Sequence, residues 1–283
     1  MSNQLSKQDV IKELWNRGNL SWKCHAVQKE MYDLFYASPK NSTLVWLLAR
    51  QTGKSYLLSI LAIEQALRKK DSIIKIVTDT KIHIKSIVEP IFKSLLEDCP
   101  DNIKPEYKTN LFIYVFPNGS QIQLAGTDGK HYEKLRGQKA DLVLVDEAGF
   151  CSDLEDIVMS VLIPTTTHTG GNIVLASTPS NEEDHPFVSF IEAAELAGKL
   201  TKKTIYDNPL LSKEQIETIK EKMGGDKGER FRREYLCEII KSTNLSVLPE
   251  FNDDLAKEII MEYPKYQKAL NYNANHALAT CAK

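Results

Sequence analysis

Leu48-Ala49-Arg50-Gln51-Thr52-Gly53-Lys54-Ser55 decides how the rest of the chain is read. The apolar run Leu44-Val45-Trp46-Leu47 precedes it, and Tyr56-Leu57-Leu58-Ser59-Ile60-Leu61-Ala62-Ile63 follows it. Short buried strand, glycine-bearing turn and helix succeed one another, which is the setting of a phosphate-binding loop. Gly53 lets the backbone approach phosphate closely, and the N–H groups and dipole of the helix start favour its negative charge. In that reading Lys54 reaches the β/γ-phosphates and Ser55 offers its hydroxyl to Mg²⁺. The usual pattern is G-x-x-x-x-G-K-[S/T], and Leu48 stands where its first glycine belongs. Alone, Gly-Lys-Ser is equally a lysine and a serine at an ordinary helix start.

The second half of the pattern is Asp141-Leu142-Val143-Leu144-Val145-Asp146-Glu147-Ala148. Four apolar residues predict a buried parallel strand with two carboxylates at its carboxyl end, the edge at which open α/β sheets bind ligands. Asp146 is then placed to hold Mg²⁺ and Glu147 to orient and polarise an attacking water. An acidic helix N-terminus would look the same in isolation. Together, the two stretches predict nucleotide hydrolysis on an α/β fold: a P-loop, RecA-like (ASCE) sheet, mainly parallel and flanked by helices.

The chain has 283 residues, 42% of them hydrophobic, enough for one large domain or one domain with an appendage. Its formal net charge is −2, so any nucleic-acid contact must come from a local patch. Cys24, Cys99, Cys151, Cys237 and Cys281 are scattered, odd in number and without a C-x-x-C pair. That predicts reduced, intracellular usage with neither a zinc site nor a disulfide framework. The N-terminus has no apolar signal core, and no run approaches the ~20 apolar residues of a membrane span, so no membrane partner is expected.

Val10, Ile11, Leu14 and Trp15 are spaced for an amphipathic helix near residues 7–17. Trp22 then precedes a helix carrying Gln28, whose amide could read an adenine edge or simply lie on the surface beside a tryptophan. Residues 73–78 read as a second core strand. Residues 82–96 read as a helix with Ile84, Ile87, Val88, Ile91, Phe92 and Leu95 on one face. Pro117-Asn118-Gly119, between apolar runs, predicts an antiparallel hairpin added to the sheet. A polar, glycine-bounded loop, 126–138, lies just before the carboxylate strand and is a functional candidate.

Residues 153–162 read as a helix ended by Pro164, and 173–176 as a strand running into Ser177-Thr178-Pro179, a second functional edge or a plain turn. Further on, 182–200 reads as a helix, 203–206 as a short strand and Ser212 as the start of another helix broken at Gly224-Gly225. Arg230, Arg232, Arg233 and Lys241 form a charge run that is either a solvated helix face or a nucleic-acid patch.

Ala49-Arg50-Gln51-Thr52-Gly53-Lys54-Ser55, Leu135-Arg136-Gly137, Asp146-Glu147-Ala148 and Ser177-Thr178-Pro179 together resemble the large terminases of tailed bacteriophages, in order and in spacing. An Arg-Gln inside the phosphate loop without the leading glycine is typical of that family. Tyr206-Asp207-Asn208-Pro209 and Phe231-Arg232-Arg233-Glu234-Tyr235-Leu236-Cys237-Glu238 resemble the segment after its ATPase core. The resemblance covers roughly residues 20–251. It implies an ATPase motor that drives double-stranded DNA into a capsid through a portal protein, with ATP and Mg²⁺ as cofactors. It also implies a small terminase subunit as partner, a homo-oligomeric ring on the portal (a monomer being allowed in solution) and the host cytoplasm as location. By the same resemblance Arg50, Gln51, Thr52, Gly53, Lys54 and Ser55 bind nucleotide and Gln28 contacts adenine. Ser55 and Asp146 hold the metal, Glu147 is catalytic, and Ser177, Thr178 and Pro179 couple nucleotide state to movement.

By the same resemblance Arg136 stands at the position from which an arginine finger is supplied to the neighbouring subunit, and Arg50 could serve the same end within one chain. Arg136 could equally pair with Glu133 or Asp128 on the surface. The expected organisation is a P-loop ATPase domain over 1–210, a helical linker or lid over 211–264, and the truncated start of a nuclease-like domain or a tail over 265–283. Ala269 to Leu278 resembles a first nuclease strand, but Asn271 and Asn275 stand where acidic residues belong, so no nuclease activity is expected. A helicase-like translocase and a non-catalytic, nucleotide-dependent portal or partner-binding module are the other readings.

Overall fold

The computed structural model describes residues 6–128, 132 and 135–240. Eight strands form one sheet: β1 (Thr43–Leu48), β2 (Ile73–Thr78), β3 (Glu106–Lys108), β4 (Ile113–Val115), β5 (Gln121–Gly126), β6 (Leu142–Asp146), β7 (Asn172–Ser177) and β8 (Leu200–Lys203). Their order is β3-β4-β5-β2-β6-β7-β1-β8. Pairings from β5 to β8 are parallel, and β3-β4 and β4-β5 are antiparallel. The apolar runs read from the sequence thus occupy the sheet centre, where helices cover both faces and nearly every position is apolar, Lys75 on β2 being an exception. β7 lies between the phosphate-loop strand β1 and the carboxylate strand β6. The hairpin closes as expected around Pro117-Asn118-Gly119, with Gly119 at φ 87° and the Phe116 N–H donating to Ser120 O at 2.8 Å.

The helices are α1 (Lys7–Asn16), α2 (Ala26–Ala37) and α3 (Lys54–Arg68). α4 runs through Lys81–His83, a π-helical Ile84–Val88 and Glu89–Leu95; α5 through Leu154–Asp156, a π-helical Ile157–Leu162 and Ile163–Thr166. α6 (Pro186–Leu196), α7 (Lys213–Lys222) and α8 (Glu229–Leu236) complete the set. α3 packs on one face of the sheet in a core with Trp46, Leu144 and Phe92; α5 and α6 pack on the other with Val143, Val145 and Phe187.

Several sequence expectations shift. The helical face over 82–96 keeps Ile84, Val88, Phe92 and Leu95 buried, but the π turn rotates Ile87 out to 42% exposure. Pro164 does not end its helix: the wide turns before it leave the ring at the start of a fresh α-helical segment, where a missing N–H is tolerated. The helix foreseen over 182–200 is confined to α6, since Pro186 opens it and Gly198, at φ 65°, closes the turn after it. The strand foreseen at 203–206 lies earlier, as β8, in parallel register with β1. Of the apolar residues in α1, Trp15 alone is buried, and Val10 is 43% exposed.

The described residues up to 240 form one compact unit, so the described part of the foreseen 211–264 segment belongs to the same unit as the sheet. Lys241 and the expectations for 265–283, including Asn271 and Asn275, lie outside the described residues. A buried carboxylate sets α2 over α3: Glu64, with no exposure, accepts from Tyr32 Oη at 2.9 Å and Tyr36 Oη at 2.5 Å, and pairs with Arg68 at 3.0 Å.

Candidate nucleotide-hydrolysis site

The carboxyl ends of β1, β7, β6 and β2 converge on one cleft of ≈ 630 Å³, lined by Arg50 to Tyr56, Asp79, His83, Glu147 and Tyr235 among others. This size suits a small-molecule ligand. Gly53 has φ 76°, a left-handed conformation that glycine adopts without strain, and it caps α3. A Cβ there would collide with the Gln28 amide. Gln51 also takes a positive φ, 64°, and the Thr52 hydroxyl donates to Ala49 O at 2.8 Å, so the loop is folded back on itself.

Across the cleft, Lys54 Nζ lies 2.6 Å from Glu147 Oε1, with both side chains mostly buried. Burial opposes the lysine's charge, but Asp146 and Glu147 outweigh it and hold its pKa above the ordinary value. Ser177 Oγ donates to the other Glu147 oxygen at 3.4 Å. Glu147 takes φ 55°, unusual for a residue with a side chain and associated with functional sites. Its backbone N–H donates to Asp146 Oδ1 at 3.1 Å.

Asp146 is 1% exposed, and its Oδ2 is a buried oxygen without a hydrogen bond. Burial works against its charge, while the His83 imidazole, the Lys54 ammonium and the Ser55 hydroxyl hold its pKa low. His83 stands between two acids, Nδ1 at 3.1 Å from Asp79 and Nε2 at 3.6 Å from Asp146, the latter too long for a hydrogen bond. Burial lowers its pKa, but the two carboxylates prevail and raise it to about 10. No group of three or more His, Cys, Asp or Glu among the described residues could hold a metal alone. Mg²⁺ needs none: it keeps waters and binds through one or two protein ligands plus phosphate oxygens. The orphaned Asp146 oxygen with Ser55 beside it fits that demand.

Gln28 is 4% exposed. Its Nε2 donates to Gly53 O at 2.9 Å and its Oε1 accepts from the His25 N–H at 3.1 Å, so the amide braces the phosphate loop from the start of α2. Trp22 is 41% exposed, with the Lys23 ammonium 4.5 Å from its ring centre. Arg50 Nε pairs with Glu234 at 2.9 Å, and the Arg50 N–H donates to Glu234 O at 2.9 Å. Ser177, Thr178 and Pro179 are buried behind Glu147. Arg136 does not line the cleft. Its guanidinium is 3.8 Å from Asp156 on α5, both side chains about half exposed. Asp128 Oδ1 accepts from the Lys81 N–H at 3.1 Å, and Glu133 lies outside the described residues. In the arginine run, Arg232 pairs with Glu238 at 2.6 Å and Arg233 with Glu229 at 3.8 Å, while Arg233 also donates to Asn181 Oδ1 at 2.6 Å, so two of those charges are met internally.

Sequence reading missed four contributors. His83, at the start of α4, bears on Asp146, and Asp79 just after β2 holds His83 in turn, contacts made only by the order of strands. Asn208 Nδ2 donates to Gln51 O at 2.9 Å, fixing the loop from the turn after β8. Gly149 lies against Ser177 and Thr178: a Cβ there would come 2.8 Å from Thr178 O and 2.9 Å from Ser177 Oγ. The Asp-Asn-Pro turn and the Asp-Glu-Ala-Gly run were the available signals.

No curated protein sequence matches the chain. Among solved structures, the fold matches the Thermus phage P74-26 large terminase ATPase domain with a TM-score of 0.61 at 19% identity, covering 84% of this chain and 100% of that one. It matches the large terminase of a thermophilic bacteriophage, solved in complex with ADP, with a TM-score of 0.59 at 15% identity over 88% of this chain and 57% of that one. For the HK97 bacteriophage large terminase the values are 0.61 and 14%, over 83% and 55%. The chain therefore spans little more than half of those last two terminases, and the likeness establishes an ASCE P-loop fold. The family model for the terminase large subunit, T4likevirus-type, N-terminal, matches residues 45–252. On that match the chain belongs to the terminase large-subunit family of phage DNA-packaging motors.

Proposed function

We propose that this chain hydrolyses ATP with Mg²⁺ and that turnover drives double-stranded DNA through a portal. The observation that carries this reading is the Lys54–Glu147 pair at 2.6 Å with Ser177 on the second carboxylate oxygen. Phosphate arriving at the loop meets the α3 N-terminus and competes for the Lys54 ammonium. Glu147 is then released from Lys54, keeps its Ser177 contact and becomes free to orient a water and take its proton. Ser55 and Asp146 would hold Mg²⁺, which neutralises charge on the phosphate oxygens when bound.

Ser177, Thr178 and Pro179 feel the change directly, because Ser177 hydrogen-bonds Glu147 and Gly149 packs on the same segment. Gln28 holds the loop's shape and retains one amide hydrogen for a base edge. Gln51, Thr52 and Gly53 supply backbone to the phosphates. Arg50 lies within the loop but is engaged by Glu234. Arg136 lies outside its own cleft and is assigned to a neighbouring subunit's nucleotide, in a homo-oligomeric ring assembled on the portal. A small terminase subunit and a host-cytoplasmic setting belong to the same reading.

Phosphate release from ATP with Mg²⁺ tests it. Glu147→Gln should bind ATP and fail to turn it over. Equal turnover by that variant would remove Glu147 from the role, and tight ATP binding without hydrolysis by the wild type, even with DNA and portal, would leave a non-catalytic binding module.

A further inference from the structure

We propose that Lys75 is the positioning residue of the Arg136 turn. β2 is paired on both sides and covered on both faces, so a lysine at its centre has no path by which to reach water. Lys75 has no exposure at all. Its register neighbours are Gln123 on β5 and Val143 on β6, and burial alone shifts its pKa, down to about 8, with no charged group contributing. An uncompensated buried ammonium is costly, and a methionine of similar length would fill the same space without that cost. What the ammonium does is specific: Nζ donates to Leu135 O at 2.7 Å and to Gln138 O at 2.7 Å.

Those two carbonyls bracket Arg136 and Gly137, and Gly137 makes the turn at φ 78°. Gln123 Nε2 adds a bond to Gln138 Oε1 at 2.8 Å, so the base of the turn is fixed from β2 and β5 while Arg136 at its head is 46% exposed. The same strand β2 ends beside the cleft, where Asp79 is part of the lining. Lys75 touches neither cleft nor nucleotide. It acts through the turn, setting where the guanidinium is presented, and in this it rests on the assignment of Arg136 to a neighbouring nucleotide.

The test is a double-mutant cycle in assembled, concentration-dependent ATP turnover, using Lys75→Met, Arg136→Ala and the two together, with hydrogen exchange followed across residues 135–140. K75M should lower kcat by at least tenfold with KM for ATP unchanged, and should speed exchange in the turn. The double variant should be no slower than R136A, because a misplaced and a missing guanidinium are the same loss. Losses that multiply in the double variant, or a turn whose exchange is unchanged in K75M, would overturn the positioning role. An R136A variant as active as wild type would instead overturn the trans assignment, and Lys75's catalytic role with it, even if K75M loosened the turn. Should K75M fail to fold, Lys75→Gln goes through the same cycle with the same outcomes.

Discussion

Arg50 and Arg136 are the same side chain placed in opposite circumstances. Arg50 belongs to the cleft, yet Glu234 holds its side chain at 2.9 Å and Glu234's carbonyl holds its backbone. Arg136 lies outside the cleft, opposite Asp156 at 3.8 Å, with a turn anchored beneath it. Moving Arg50 onto phosphate breaks a contact with a carboxylate that is 18% exposed. Moving Arg136 breaks, among its contacts, a solvated pair with Asp156 worth ~0–1 kcal/mol. Of the two ion pairs, the Asp156 one is the cheaper to break, while proximity within one chain favours Arg50. The ring of subunits proposed above would reconcile the two, because a neighbour would bring Arg136 to the cleft.

The largest expected effect breaks this comparison outright. Arg136→Ala should lower assembled turnover by ~10³–10⁵, the span observed when an arginine finger is lost. Arg50→Ala should cost far less, through loosening of the loop. The reverse ranking in a steady-state assay at high protein concentration would make Arg50 the finger. Next comes Glu147→Gln, expected to lose ~10²–10⁴ in kcat as a general base is removed, with ATP binding kept. Mixing R136A and E147Q chains should restore part of the activity, since one mixed interface keeps both groups; no rescue in a verified mixed assembly removes the trans role.

A smaller effect reads the anchor under Arg136 through pH. Lys75 has a folded pKa of about 8 against an unfolded 10.5. Below about pH 8 both states carry the proton and the burial cost is fully present. Between 8 and 10.5 the unfolded chain binds the proton that the fold lacks, so this group makes stability rise with pH. Wild-type unfolding free energy, measured against that of K75M in urea, should therefore gain up to ~3 kcal/mol from pH 7 to pH 10.5. The ammonium's hold on the turn weakens over the same window, so stability and assembled turnover should part company. A flat difference would mean that Lys75 is not buried as an ammonium.

Much of the scaffold was legible because parallel, doubly covered strands need near-continuous apolar runs: 44–47 and 142–145 are unbroken, and 73–77 is interrupted by Lys75 alone. The site was legible where chemistry and local order coincide, as at Gly53-Lys54-Ser55 and Asp146-Glu147. It was not legible where partners come from strand order alone. Nothing in sequence places His83 beside Asp146, Glu234 on Arg50, or the Lys75 ammonium under Arg136. Gln28 shows the intermediate case: its amide chemistry was readable, but its bond to Gly53 O depends on α2 being set over α3 by Glu64 and the two tyrosines. The π turns escaped notice because a 3.6-residue period is what an apolar face suggests, and one inserted residue per turn leaves the composition unchanged.

The smallest expected effect concerns what Arg136 leaves behind. If Asp156 merely parks the guanidinium, Asp156→Asn removes a competitor for it. Both side chains are about half exposed, so the pair is worth at most ~1 kcal/mol, a factor of ~5 in equilibrium. Half-maximal turnover should then shift to a protein concentration lower by up to that factor, with unchanged kcat at saturation. Salt screens the wild-type pair already, so raising ionic strength should narrow the gap between the two proteins. Asparagine keeps the shape of the side chain in the first turn of α5, which limits any effect on folding. A D156N variant that is slower at saturation would carry a different message: Asp156 would be holding Arg136 in its working orientation. The turn above Lys75 and the acid on α5 would then be two halves of one mount.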